Sequence, residues 1–267
     1  MEIYGKSLVI TGAGRGIGAA LALRLAAEHP RGVVVADLDE LGAQRVAAQV
    51  RELDVPAVGV RVDVGDKSEA RGLIELATKE YDGVDIVCSN AGVATGMGIH
   101  AGERDWAKAW SVNVRAHVHL AQAVLPGMAR ARSGHFMITA SAAGLLGLPG
   151  DAPYSVTKYA AVGLAEWLAF TYGPVGVHVS ALCPLGVRTD LLMTGLEAGH
   201  VAARAVAGYA PILEPEDIAE AAVLGIAEDR FLILPHPEVA ELYERKAADP
   251  QAWVTAQQGA ARPRVRT

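Results

Sequence analysis

The chain reads as an α/β protein: a doubly wound, seven-stranded parallel sheet with helices on both faces. Three observations predict this. Short β-branched runs alternate with longer amphipathic stretches along most of the chain, the order that βαβ units produce. The runs are continuously apolar, as strands buried on both faces are. The first run leads directly into a glycine-rich loop, "TGAGRGIG" at 11–18.

The elements follow in order. "SLVIT" (7–11) reads as a strand and "GIGAALALRLAAEH" (16–29) as a helix rich in Ala and Leu. "GVVVAD" (32–37) and "AVGVRVD" (57–63) are strands, each followed by a helix, at 40–53 and 67–81. "VDIVCSN" (84–90) is the fourth strand. A long helical stretch from 103 to 132 should bend near Pro126, which cannot donate its backbone hydrogen bond. "HFMITAS" (135–141) is a strand, 154–172 a helix, and "VHVSALCP" (177–184) a strand. Glycine-broken helix at 190–208 and an acid-capped helix at 215–228 precede the last strand, "FLILP" (231–235). A polar helix at 238–248 closes the ordered part. No linker or repeat divides the chain, so one domain over 1–267 is expected, with a C-terminal helix and tail at 236–267.

Composition narrows the class. Of 267 residues, 51% are hydrophobic and 20% charged, a globular balance able to build a core without disulfide or metal staples. Net charge is −6, with no basic stripe of the kind that binds nucleic acid. The tail "RPRVRT" (262–267) reads as a solvated terminus. Cys88 and Cys183 each end an apolar run and read as buried thiols of a reducing compartment. The start, "MEIYGKSLVITG", lacks a basic region followed by an apolar stretch, and no apolar run is long enough to span a membrane. A cytoplasmic location is expected.

The glycine loop carries the first functional signal. At Gly12, Gly16 and Gly18 the chain must turn sharply, approach a pyrophosphate through bare backbone and pack a helix close to the sheet. The N–H groups at the start of that helix suit phosphate, so a dinucleotide site is expected. Asp37 ends the second strand, where a carboxylate reaches the ribose hydroxyls and repels a 2′-phosphate. That favours NAD over NADP. Arg15 pulls the other way, and Asp37 could instead cap the next helix, with Asp39 as a competing cap.

In "PYSVTKYAA" (153–161), Tyr154 and Lys158 share a helix face. Hydride leaves a carbinol carbon easily only as the hydroxyl proton leaves too, and a tyrosine with an ordinary pKa of about 10 is a poor base near neutrality. A close lysine cation, with an oxidised nicotinamide, would favour the tyrosinate. Ser141 can donate to a carbonyl oxygen as charge builds there. Each residue also has a plain reading: Ser141 as a strand-end cap, Asn113 as a helix bend, Tyr154 as a half-buried aromatic.

Taken jointly, "TGAGRGIG", "DV" at 63–64, "NAG" at 90–92, Asn113, Ser141, Tyr154 and Lys158 resemble the short-chain dehydrogenase/reductase family over about residues 5–235. The resemblance implies a Rossmann-like fold and an NAD cofactor. It implies that Gly12, Arg15, Gly16, Ile17, Gly18 and Asp37 bind that cofactor, that Asp63 and Val64 face its adenine, and that Asn90, Ala91 and Gly92 line its cleft. Tyr154 becomes the general acid/base, Lys158 its partner, Ser141 the donor to the substrate oxygen, and Asn113 the holder of a proton-relay water. In "CPLGVRT", Pro184, Val187 and Thr189 match the family's nicotinamide-contacting run, but Leu185 stands where the family usually has Gly. A dimer or tetramer packed through the helices near 103–131 and 154–172 is also implied.

Three segments should border the substrate: 93–102, 142–153 and the loop region 190–213. All are rich in apolar and small residues, and no arginine pair stands ready to clamp an acid. A hydrophobic secondary alcohol or its ketone is expected; a sugar, steroid or polyketide substrate, or a non-catalytic nucleotide-sensing role, stays open. No metal is expected: His117 and His119, two apart on a helix, diverge by roughly 200°. Trp106 and Trp110 read as core or interface packing.

Overall fold

The computed structural model describes residues 1–147 and 149–260; the solvated terminus expected at 262–267 lies outside them. β1 (Ser7–Thr11), β2 (Gly32–Asp37), β3 (Ala57–Arg61), β4 (Ile86–Ser89), β5 (His135–Thr139), β6 (His178–Leu182) and β7 (Leu232–Ile233) form one parallel sheet in the order β3-β2-β1-β4-β5-β6-β7. Around it lie α1 (Gly16–Ala26), α2 (Glu40–Arg51), α3 (Lys67–Tyr81), α4 (Glu103–Trp110), α5 (Ala116–Ala131), α6 (Ala143–Leu146), α7 (Ala152–Tyr172), α8 (Asp190–Glu197), α9 (Val201–Tyr209), α10 (Pro215–Ala227), α11 (Glu238–Ala248) and α12 (Pro250–Ala260).

The pleat divides the core. Val9, Val34, Val87 and Phe136 face the side packed by α3, α5 and α7. Leu8, Ile10, Val33, Val35 and Met137 face the side packed by α1, α2 and α10. Side chains alternate between faces along a strand, and both faces are covered, so each strand must be apolar throughout. The strand order reverses between β1 and β4, and ligands of open α/β sheets bind at such a point, beyond the carboxyl ends of the strands.

Several expectations need correction. β3 stops at Arg61 rather than 63, because the Asp63 N–H turns to the Glu69 carboxylate at 2.7 Å. β7 is two residues long, not five, as an edge strand pairing only with the end of β6. Pro126, where a bend is expected, lies inside α5. Pro126 and Gln122, the residue whose carbonyl it cannot bond, are both exposed, so water can satisfy that carbonyl. Ahead of α5, the long helix carries a single π turn at Ser111–Arg115. The ordered chain does not end at 248: α12 follows, and its Trp253 is buried, donating to Leu146 O at 3.1 Å.

Candidate active site

A cavity of about 1010 Å³ opens at the β1/β4 reversal. In volume the cavity stands at the upper end of single-ligand pockets, about 1,000 Å³. Every residue expected in the site except Asn113 lines it.

At one end stands the loop between β1 and α1. Gly12 has φ of +62°, and a Cβ there would stand 2.7 Å from Ala91 Cα. A Cβ on Gly18 would fall 2.1 Å from Gly12 O. Neither position tolerates a side chain, so α1 starts with bare backbone against the cavity, and the cradle fits a pyrophosphate at a helix N-terminus. Asn90 ties β4 to this loop, donating from Nδ2 to Thr11 O at 3.0 Å and to Gly12 O at 3.3 Å.

Asp37 does not cap α2; its neighbour Asp39 occupies that position without a side-chain capping bond. Both Asp37 oxygens are instead fixed beside the loop. Oδ2 accepts from the Gly14 N–H at 2.8 Å and Oδ1 from the Asp39 N–H at 2.9 Å. Arg15 is 77% exposed and pairs with Asp190 at 3.3 Å. Asp63 accepts from the Gly65 N–H at 2.9 Å, and Val64 is buried in the same wall.

At the other end, α7 carries the tyrosine and lysine. Lys158 is buried, its ammonium 5.6 Å from the Tyr154 ring centroid and donating to Thr139 O at 2.8 Å. Gly92 leaves room for it: a Cβ there would stand 3.3 Å from Nζ. Burial depresses the Lys158 pKa to about 8. The Tyr154 pKa moves against the expected direction. Burial raises it, Asp151 adds to the rise, and only a hydrogen bond with Ser141 pulls it down. The ammonium lies by the ring and is spent on Thr139 O, so the protein's own groups keep Tyr154 protonated. Ser141 Oγ also accepts from the Ala143 N–H at 3.1 Å at the start of α6, and Ser141 lines the cavity.

Asn113 is fully buried behind the wall. Its Oδ1 accepts from the Val93 N–H at 2.8 Å; its Nδ2 donates to Val93 O at 2.9 Å and Thr157 Oγ1 at 3.0 Å. The side chain thus clamps the strand-like run after β4 to α7, and its place in the π turn fits that demand. Thr139 Oγ1, in the cavity wall, is buried without a hydrogen-bond partner among the described residues, a polar atom suited to a bound ligand.

One organising residue went unread in the sequence. Asp151 is buried, and its carboxylate accepts from Thr95 N at 2.7 Å, Thr95 Oγ1 at 2.8 Å, Gly96 N at 2.6 Å and Tyr154 N at 3.0 Å. It caps α7 and fastens the 93–97 segment to it. The signal was present in "DAP", an acidic cap just before a first-turn proline. His117 and His119 part as expected, to Ser89 Oγ at 2.6 Å and Val64 O at 3.4 Å. Among the described residues no group of three or more His, Cys, Asp or Glu gathers as a metal site.

Fold and site together define a dinucleotide-binding oxidoreductase. The chain belongs to the short chain dehydrogenase family, whose model matches residues 6–198, and so to enzymes acting on hydroxyl or keto groups. It is 30% identical over 236 residues to 17-beta-hydroxysteroid dehydrogenase 13 of Mus musculus, covering 87% of this chain and 74% of the relative. A short chain dehydrogenase/reductase from Burkholderia phymatum, solved in complex with NAD, superposes with a TM-score of 0.86 at 31% identity, covering 94% of this chain and 96% of that one. A 7 alpha-hydroxysteroid dehydrogenase complexed with NADH and 7-oxo glycochenodeoxycholic acid superposes with a TM-score of 0.78 at 27% identity, covering 87% and 93%.

Proposed function

We propose that the chain interconverts a hydrophobic secondary alcohol and its ketone with NAD, using Tyr154 as general acid/base. The observation that carries the reading is the shared cavity: the glycine cradle and Asp37 at one end, Tyr154 with Ser141 and Lys158 at the other. When bound, the nicotinamide accepts or supplies the hydride. Tyr154 takes the hydroxyl proton in oxidation and returns it in reduction. Ser141 donates to the substrate oxygen as negative charge grows there. Lys158, held at Thr139 O, keeps positive charge beneath the tyrosine ring. Asn113 and Asp151 act through backbone, fixing the wall in front of α7.

Asp37 supports NAD over NADP. Its carboxylate is held beside the glycine loop in the cavity wall, while the competing cation, Arg15, is drawn to Asp190. A 2′-phosphate would meet negative charge. The structural neighbour bound to NAD supports the same reading. For the substrate, Leu185, Leu191, Leu192 and Val206 line the far end of the cavity. Relatives named as hydroxysteroid dehydrogenases favour a polycyclic alcohol of steroid size over a sugar. Exposed Trp110 on α4 and Trp167 and Phe170 on α7 support a homo-oligomer packed through these helices, and a cytoplasmic location remains part of the reading.

The test is a panel of secondary alcohols, with steroids and sugars included, followed by NADH absorbance. Turnover of apolar alcohols that drops by about 10²–10⁴-fold in Tyr154→Phe is expected. No turnover of any panel member, with Tyr154→Phe identical to the unchanged protein, overturns the catalytic reading. Fluorescence titration checks the cofactor: NADP binding tighter than NAD overturns the role of Asp37.

A further inference from the structure

We propose that His236 is a positioning residue for the cofactor's nicotinamide end, acting through the backbone of Leu185 and Gly186. The inference rests on the dinucleotide reading above and adds a residue from the C-terminal part of the chain.

β6 and β7 pair as far as Leu182 and Ile233, and Cys183 N–H still reaches Ile233 O at 2.9 Å. The next residue is Pro184, which has no N–H to continue the ladder. The first free donor is therefore the Leu185 N–H, and it finds an imidazole instead of a strand: Leu185 N to His236 Nδ1 is 3.2 Å. The other ring nitrogen, Nε2, donates to Gly186 O at 3.0 Å. One neutral ring, protonated at Nε2, thus brackets two successive residues. His236 is 1% exposed, so water cannot replace either bond, and burial lowers its pKa, holding the neutral form.

The bracketed segment is the wall beside the catalytic groups. Pro184 O accepts from the Ala142 N–H at 2.8 Å, next to Ser141, and Pro184, Leu185 and Val187 line the cavity. A hydride would pass close to the carbon that Tyr154 and Ser141 serve, so a bound nicotinamide would lie against this wall. On its far side, Gly186 O also accepts from Leu213 N at 3.0 Å and Arg188 N donates to Leu213 O at 2.8 Å. Leu213 holds 186–188, and His236 holds the Leu185 peptide. Leu185, where the family usually has a glycine, is 9% exposed, and a fixed backbone sets how far its side chain enters the cavity.

The experiment compares NAD with ADP-ribose, which has the adenosine, pyrophosphate and second ribose but no nicotinamide. In His236→Phe, the Kd for NAD should rise about 5- to 10-fold, the scale of one or two lost hydrogen bonds, while that for ADP-ribose stays within about twofold. Equal weakening of both ligands, or of neither, overturns the inference. Failure of the unchanged protein to bind NAD overturns the cofactor reading as well, which separates the two. A second measurement needs no variant: ¹⁵N–¹H correlation of the imidazoles should show His236 neutral with its proton on Nε2. A proton on Nδ1 would leave no acceptor for Leu185 and would equally overturn the inference.

Discussion

At residue scale, Lys158 is a buried charge that costs stability. A buried ammonium is held at Thr139 O, and burial lowers its pKa from 10.5 to about 8. That depression corresponds to about 3 kcal/mol against the folded state. Below pH 8 both states are protonated and the penalty is constant. Between 8 and 10.5 the unfolded chain binds more protons, so stability rises with pH across that window. Lys158→Met should therefore stabilise the fold at pH 7 by about 2 kcal/mol, the lost hydrogen bond offsetting about 1; urea unfolding reads this, and a less stable variant would contradict it. Tyr154 is displaced in the opposite sense, its phenol pushed up by burial. Alcohol oxidation needs the phenolate, so its rate should climb with pH past neutrality, whereas ketone reduction, which needs the phenol, should hold its rate near neutrality and fall only at alkaline pH. A bell centred on neutrality for oxidation would contradict the shift. The tyrosine–lysine pair was legible in the sequence because i, i+4 residues share a helix face. The sign of the tyrosine's shift was not, because it depends on where the ammonium points and on how deeply the phenol is enclosed.

Among the elements, the strands were the most legible and the C-terminal helices the least. A strand buried on both faces has one solution, a short apolar run; β1 and β2 stand where those runs lie, and β5 starts where expected and stops two residues short, at Thr139. α12 carries no such pattern in "PQAWVTAQQGA". It is ordered by what it meets: Trp253 packs into the core and bonds Leu146 O, Gln257 bonds the Tyr209 hydroxyl on α9, and Lys246 of α11 reaches Leu145 O and the Tyr159 hydroxyl. α11 and α12 thereby brace α6, which follows Ser141, and α9, which borders the cavity. Trp253→Ala should cost about 3 kcal/mol and raise KM for the substrate while the NAD Kd holds. Loss of NAD binding instead would show that the brace supports the whole sheet. The π turn at Ser111–Arg115 was likewise hidden. Asn113 was singled out, yet its engagement with Val93 depends on the distance between two segments twenty residues apart in sequence.

For the whole molecule, α4, α5 and α7 form one flank and leave Trp167 58% and Phe170 77% exposed. Large apolar side chains grouped on a surface mark interaction sites, and light scattering at micromolar concentration should give a multimer; a monomer would remove that role from the flank. No helix of the described residues is long and apolar enough to cross a membrane. The sequence by itself determined the parallel α/β architecture, the glycine cradle, Asp37 and the Ser141, Tyr154, Lys158 constellation, because these depend on local spacing, backbone sterics and strand burial. Only the tertiary structure decided that Asp151 ties the 93–97 segment to α7, that His236 takes over where Pro184 ends the ladder, and that burial raises the Tyr154 pKa while the Lys158 ammonium bonds Thr139 O. Each of those joins groups far apart in sequence or turns on the enclosure of a charge. Such energies depend on distance and solvent access, which linear spacing does not encode.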